Sequence, residues 1–261
     1  MTGPAGPGAR RWAELSWPEL AALHGEVGLV PVGATEQHGP HLPTGTDTII
    51  ATALCEGASA RTGCPVLPAV PVAVSYGHGT VLPGTLSLSP ELLAAVARQY
   101  AEWAATSGLT RLLFVNAHFG NSAALGIATD HLRLFRPDLQ VGVVDWWSVT
   151  PEVAAEMTVD GEDVHAHRAE TSVMLAVAPA LVHVDRLADS DDPDRTDGLV
   201  FRYTAPALST NGVTGSPSLA TDALGVRLLE LAVTAIAERV EAGRTEKAPL
   251  GTAPFPSLTN P

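Results

Sequence analysis

The sequence predicts an α/β protein: a mostly parallel sheet with helices packed on both faces, in three α/β/α layers. Three observations lead there. Short apolar runs of strand length alternate with longer segments of helical spacing, the order that builds parallel sheets with crossover helices. Two of the apolar runs lead directly into clusters of carboxylates, imidazoles and amides. In open α/β sheets the ligand crevice forms at the carboxyl ends of the strands. With 46% hydrophobic and 16% charged residues among 261, the chain suits a large packed core and not global disorder.

The elements follow in order. Val27–Val32 reads as a buried strand, an apolar run bounded by polar residues. Asp47–Arg61 reads as a helix rich in Ala and Ile, with Gly63 near its end. Pro65–Val74 is apolar, β-branched and punctuated by proline, which makes it extended or an edge strand. Ser89-Pro90-Glu91 is a helix start: a hydroxyl N-cap, proline in the first turn, and an acid at the positive end of the dipole. That helix runs to about Ser107 and stops at Gly108. Arg111–Val115 is a strand, Ser122–Phe135 a helix stopped before Pro137, and Leu139–Val144 a strand ending in Asp145-Trp146-Trp147. Thr150-Pro151-Glu152 repeats the capping pattern. Glu170–Val177 is a short helix before Pro179, Leu181–Val184 a short strand, and Thr221–Glu241 a long helix with Leu228, Leu229, Leu231, Ala232 and Ile236 on its apolar side. The longest irregular stretches are Ser75–Leu88 and Asp189–Pro217, and loops of that length in compact domains are often functional. The expected organisation is a flexible Gly/Pro-rich tail at 1–10, a single domain over 11–245 and a C-terminal tail at 246–261.

Charge and composition narrow the function. A net charge of −13 disfavours nucleic-acid binding, which needs a basic face against phosphate. Cys55 and Cys64 have no metal-type spacing and read as ordinary buried residues. The N-terminal stretch has no apolar h-region, and no uninterrupted apolar run reaches the ~18 residues of a membrane span. The expectation is a cytoplasmic protein with no membrane partner. Low charge with high apolar content leaves room for subunit interfaces, so a homo-oligomer is expected.

The chemistry concentrates in three segments. Glu36-Gln-His38 follows the first strand, and Asp47 opens the next helix. Residues two apart in an extended stretch point to one side, and Glu, His and Asp are donors that Zn²⁺ and Mn²⁺ accept. Asp47 has two oxygens with which to bridge two ions, or it simply caps its helix. His118 leaves its strand within Asn116-Ala-His-Phe-Gly-Asn121, a tight polar turn, and reads as a ligand in company with the first group. In Asp163-Val-His165-Ala-His167-Arg-Ala-Glu170, Glu170 reads as a ligand or a dipole partner and His165 as a general acid or base. Ser75-Tyr-Gly-His78 forms a second polar loop suited to substrate contacts, and Phe119, Trp146 and Trp147 are candidates for an apolar pocket wall. Gly-x-Ser-x-Gly, Walker and Gly-x-Gly-x-x-Gly motifs are absent, so serine-hydrolase and nucleotide readings lack support.

These segments resemble the creatininase (creatinine amidohydrolase) family over roughly 28–224. The anchors are Gly33-Ala-Thr-Glu-Gln-His-Gly-Pro-His-Leu-Pro43 with Asp47, then Pro83-Gly-Thr85, Asn116-Ala-His-Phe-Gly-Asn121, His165-Ala-His-Arg-Ala-Glu-Thr-Ser172 and Gly212-Val-Thr-Gly-Ser-Pro217. The resemblance implies an α/β/α fold with a metal site at the strand ends, often in hexamers. It implies that Glu36, His38, Asp47 and His118 bind metal, that Glu170 is a ligand or adjoins one, and that His165 is the catalytic histidine. The expected ions are Zn²⁺ or Mn²⁺, with Fe²⁺ as a further option, one or two per subunit. The chain departs from the family in three places. Creatininase has a metal-binding Glu where this chain has Gly120. His167 replaces the usual glycine after His165-Ala166, which could add a ligand or reshape the pocket; we place it with the substrate contacts. Ser75–Leu82 lacks the common Glu-His pair.

The preferred reading is a metal-dependent amidohydrolase acting on a non-peptide C–N bond, cyclic amide or formamide included, in a small molecule. His165 shuttles the proton and Glu162 orients it. Two alternatives stay open: a peptidase trimming a modified precursor peptide, as in mycofactocin maturation, and a catalytically inactive, metal-stabilised binding protein.

Overall fold

A computed structural model describes residues 8–79 and 81–249. Residues 1–7 and 250–261, the greater part of the two expected tails, lie outside the described residues.

Among the described residues five parallel strands form one sheet: β1 (Arg10–Arg11), β2 (Val27–Val32), β3 (Pro65–Val66), β4 (Arg111–Asn116) and β5 (Gln140–Asp145), in the order β1-β3-β2-β4-β5. The helices are α1 (Trp17–Ala21), α2 (Thr46–Thr62), α3 (Pro90–Thr106), α4 (Ser122–Phe135), α5 (Pro151–Met157), α6 (Arg168–Val177), α7 (Ala205–Leu208) and α8 (Asp222–Thr245). The three-layer expectation is met. Strand residues alternate between two cores. Val27 and Leu29 of β2 and Val115 of β4 pack with α2, α5, α6 and α8. Val30 and Val32 of β2 and Leu112 and Phe114 of β4 pack with α3 and α4. Phe114 is fully buried there, and Phe114→Ala should lower stability by about 3–5 kcal/mol, read by chemical denaturation.

The capping signals hold in atomic detail. The hydroxyls of Ser89, Thr150 and Thr221 accept hydrogen bonds from the backbone N–H groups of Leu92, Val153 and Leu224, at 3.3, 3.2 and 3.2 Å. Two expectations need correction. Leu181–Val184 is not a strand: it joins two turns of 3₁₀ helix, Pro179–Leu181 and Val184–Asp189. Its apolar run is used instead to bury Val182 against the core, an ambiguity that short apolar runs carry. The edge position belongs to Arg10–Arg11, residues read as tail and domain start, which pair with Pro65–Val66. Beyond Val66 the chain stays near β2 through Leu67 N–H to Leu29 O and Val70 N–H to Pro31 O, while Pro68 and Pro71 have no N–H to extend the ladder.

The end of β2 is pressed against the start of α2. A Cβ at Gly33 would stand 2.4 Å from the Thr48 backbone. This close approach brings the segment carrying Glu36 and His38 over the first turn of α2, where Asp47 sits.

Candidate metal centre

Glu36, His38 and Asp47 are all buried, and His118 nearly so. His118 comes from the loop after β4 and lies with Nδ1 3.2 Å from Glu36 Oε1 and 3.3 Å from Asp47 Oδ2. His38 Nε2 is 3.1 Å from Asp47 Oδ1. His165 Nδ1 is 3.5 Å from Glu36 Oε1, and His78 Nε2 is 3.8 Å from Glu36 Oε2. Three overlapping groups have donor atoms within 4.8 Å of one another: Glu36/Asp47/His118, His38/Asp47/Glu170 and Glu36/His38/His165. Asp47 is common to the first two, the position for a bridging carboxylate.

Each imidazole is oriented by the backbone. His118 Nε2–H donates to Val74 O at 2.8 Å, His165 Nε2–H to Gln37 O at 2.7 Å, and His38 Nδ1–H to Glu36 O at 3.2 Å. The opposite nitrogen of each ring faces the carboxylates. Metal-ligating histidines use this arrangement, with one N–H tied to a carbonyl and the other nitrogen free to coordinate.

A cation fits what these residues leave unsatisfied. Both oxygens of Glu36 and Oδ2 of Asp47 are buried without a hydrogen-bond partner among the described residues, and an isolated buried carboxylate is costly. A mixed imidazole and carboxylate donor set suits Zn²⁺ or Mn²⁺. Without an ion, protons must take its place. Burial presses His38 down, but the carboxylates of Asp47, Glu170 and Glu36 together outweigh it and hold the imidazole up at about 10. His118 is opposed by burial and raised well above its ordinary value by Glu36 and Asp47. His165 moves the other way: burial, and then His78 and His38, push it well below the usual imidazole range.

Loops around the site are fastened by amides that the sequence marked only as turn residues. Asn121 Nδ2 donates to Gly33 O and to Asn116 Oδ1, while its Oδ1 accepts from Val74 N–H. Asn116 Oδ1 also accepts from the His118 N–H, and its Nδ2 donates to Asp145. Nothing in the residue pattern marks Gln37 as a site residue. Its Nε2 donates to Gly212 O at 2.9 Å and lies 3.0 Å from His78 Nδ1, and its carbonyl anchors His165.

Above the cluster is a cavity of about 360 Å³, lined by Ser75, Tyr76, His78, His118, Phe119, His165 and Tyr203 among others. A groove of about 510 Å³ shares Phe119, Asp163, Arg202 and Tyr203 and adds Leu199, Val200 and Phe201. Phe119 stacks on Trp147 with ring centroids 4.1 Å apart. Four residues sit elsewhere than the sequence suggested. Trp146 is buried in the core with Val144, because the strand that delivers it packs that face inward. Trp147 supports Phe119 and does not line the cavity itself. Glu162 is exposed on the adjoining groove, with its N–H bonded to Asp194; the carbonyl of Gln37, not Glu162, orients His165. His167 is fully buried and lines neither cavity. The reason is Ala166, whose φ of +52° turns the chain between the two histidines. His165 is clamped to Thr214 by paired backbone hydrogen bonds of 2.9 and 2.8 Å, and His167 goes underneath as the N-cap residue of α6.

Known proteins share this architecture. The creatininase family model, described as creatinine amidohydrolase, matches residues 13–240. The mycofactocin precursor peptide peptidase of Mycobacterium ulcerans (strain Agy99) is 35% identical over 223 residues, 82% of this chain and 80% of that one. The creatinine amidohydrolase of Pseudomonas putida is 30% identical over 245 residues, 87% of this chain and 94% of that one. A solved creatininase mutant of Zn-Zn type superposes with a TM-score of 0.80 at 29% identity, covering 91% of this chain and 99% of that chain. These relatives are hydrolases acting on C–N bonds. A family match across most of the described fold, joined by relatives of this identity along most of both chains, means that the chain belongs to the creatininase family.

Proposed function

We propose that this protein is a divalent-metal-dependent hydrolase that cleaves an amide C–N bond in a small molecule, cyclic amides and formamides included. The observation that carries this reading is the convergence of Glu36, Asp47 and His118, with orphaned carboxylate oxygens, at the floor of an open cavity. Glu36, Asp47 and His118 would hold one ion, and His38, Asp47 and Glu170 a second; Zn²⁺ and Mn²⁺ are the candidates. Such an ion supplies Lewis-acid polarisation of a carbonyl and acidifies water. The protein's own residues do the rest. His165, neutral at pH 7, accepts on Nδ1 the proton released as water adds to the carbonyl carbon, while Gln37 O holds Nε2–H. It then passes that proton to the nitrogen that leaves as the C–N bond breaks. Phe119, backed by Trp147, walls one side.

A second reading, a peptidase trimming a modified precursor peptide, is favoured by the groove that continues from the cavity past Leu199–Tyr203. It gives room for residues flanking a scissile bond. Turnover of matched panels of formamides, lactams and short peptides by metal-free and metal-restored protein tests both readings. Metal-dependent cleavage confined to the small amides supports the first, and cleavage confined to peptides the second. Activity of metal-free protein equal to that of restored protein rejects metal dependence. The exposed apolar side chains Trp17, Trp103, Leu134 and Phe135 support our expectation of a homo-oligomer.

Metal binding should depend on pH in a defined direction. His38, at about 10, and His118, also raised, both carry protons near neutral pH in the metal-free protein. A cation must displace those protons, so affinity should rise with pH above neutrality and fall as pH drops. Calorimetric titration in two buffers of different ionisation enthalpy should show proton release; identical heats in both would contradict it.

A further inference from the structure

Gly120 occupies a place where no side chain fits. A Cβ there would stand 2.2 Å from Val74 O and 2.6 Å from His118 Nε2, the two atoms whose hydrogen bond fixes His118. A carboxylate two residues beyond this strand-end histidine is therefore excluded by the same contact that orients the histidine. The carboxylate of the His38/Asp47 half of the site comes from Glu170, on the first turn of α6.

Glu170 is buried, and its carboxylate accepts a single hydrogen bond among the described residues, from His167 Nδ1 at 3.1 Å. His167 is held firmly. It is the N-cap residue of α6, three positions before Glu170. It follows Ala166 at positive φ, and its Cβ lies so near Gly215 that a Cβ there would stand 2.5 Å away. His167 belongs to none of the clusters able to hold an ion among the described residues, and its Nε2 is buried without a partner. Its placement is that of a group acting on Glu170, not on an ion.

We propose that His167 is the positioning residue for Glu170: its Nδ1–H fixes the carboxylate beside His38 and Asp47. The proposal rests on the reading of the cluster as a metal centre. Outer hydrogen-bond partners of ligands typically contribute about 10–100-fold to metal affinity.

The test is calorimetric titration of Zn²⁺ into metal-free wild type, Glu170→Gln, His167→Leu and His167→Asn. Cobalt absorption spectra give a second readout, and melting curves establish that each variant is folded. Leu and Asn have nearly the same shape, so a packing defect affects both alike, while only Asn keeps an N–H near the place of Nδ1. The expected result is two ions in wild type, with the second weakened about 10–100-fold in Glu170→Gln and His167→Leu and restored in His167→Asn. The first ion should be unchanged throughout. Two undiminished ions in His167→Leu, or His167→Asn as weak as His167→Leu, overturns the positioning role while leaving the metal centre standing. A single ion in wild type that Glu170→Gln does not affect does the same. No uptake by wild type overturns both.

Discussion

His118→Ala should yield a folded protein that has lost both the ion at Glu36/Asp47 and hydrolysis of its substrate. The imidazole Nδ1 lies between the two carboxylates at 3.2 and 3.3 Å, and nothing else among the described residues approaches both as closely. Its removal leaves two buried anions without the nitrogen donor that completes the set, so the ion is lost with it. Lewis-acid stabilisation is worth several kcal/mol and each 1.36 kcal/mol is tenfold in rate, so kcat/KM should fall by more than about 10³-fold. Elemental analysis beside kinetics checks this. A metal-replete, active His118→Ala protein would remove His118 from the site.

His165→Ala should behave differently. It should keep its ion at Glu36/Asp47/His118 and lose roughly 10²–10⁴-fold in rate, the usual contribution of a general acid or base. The distinction is needed because His165 Nδ1 also lies within reach of Glu36 and His38, as a ligand would. An inactive His165→Ala protein that has lost its metal would make the residue a ligand. A fully active one would remove it from the chemistry, leaving His78, 3.8 Å from Glu36 and on the cavity wall, as the next proton carrier to test.

Much of this was legible in the chain because the signals were local. Ser89-Pro90 and Thr150-Pro151 announce helix starts whatever surrounds them, and the apolar runs at Val27 and Arg111 are buried on both faces as a covered parallel sheet requires. The convergence of Glu36, His38, Asp47 and His118 followed from strand ends. What was not legible depended on backbone conformation and on distant partners. One positive φ at Ala166 separates His165 from His167, and nothing in the residue types foretells it. Gln37 acts through its carbonyl, which every residue has. Trp146 and Trp147 are adjacent aromatics at a strand end, yet one is core and the other backs Phe119. Leu181–Val184 carried strand composition but had no neighbouring strand to pair with among the described residues.

Glu36, Asp47 and His118 are proposed to hold a divalent ion that the reaction requires. Anomalous scattering at the zinc and manganese edges, from crystals of protein purified without chelator, tests it directly. The expected map has a peak surrounded by those three side chains, with a further one between His38, Asp47 and Glu170. A map with no anomalous peak at the cluster, from protein holding less than about a tenth of an equivalent of metal and recovering none on addition of either ion, would contradict it.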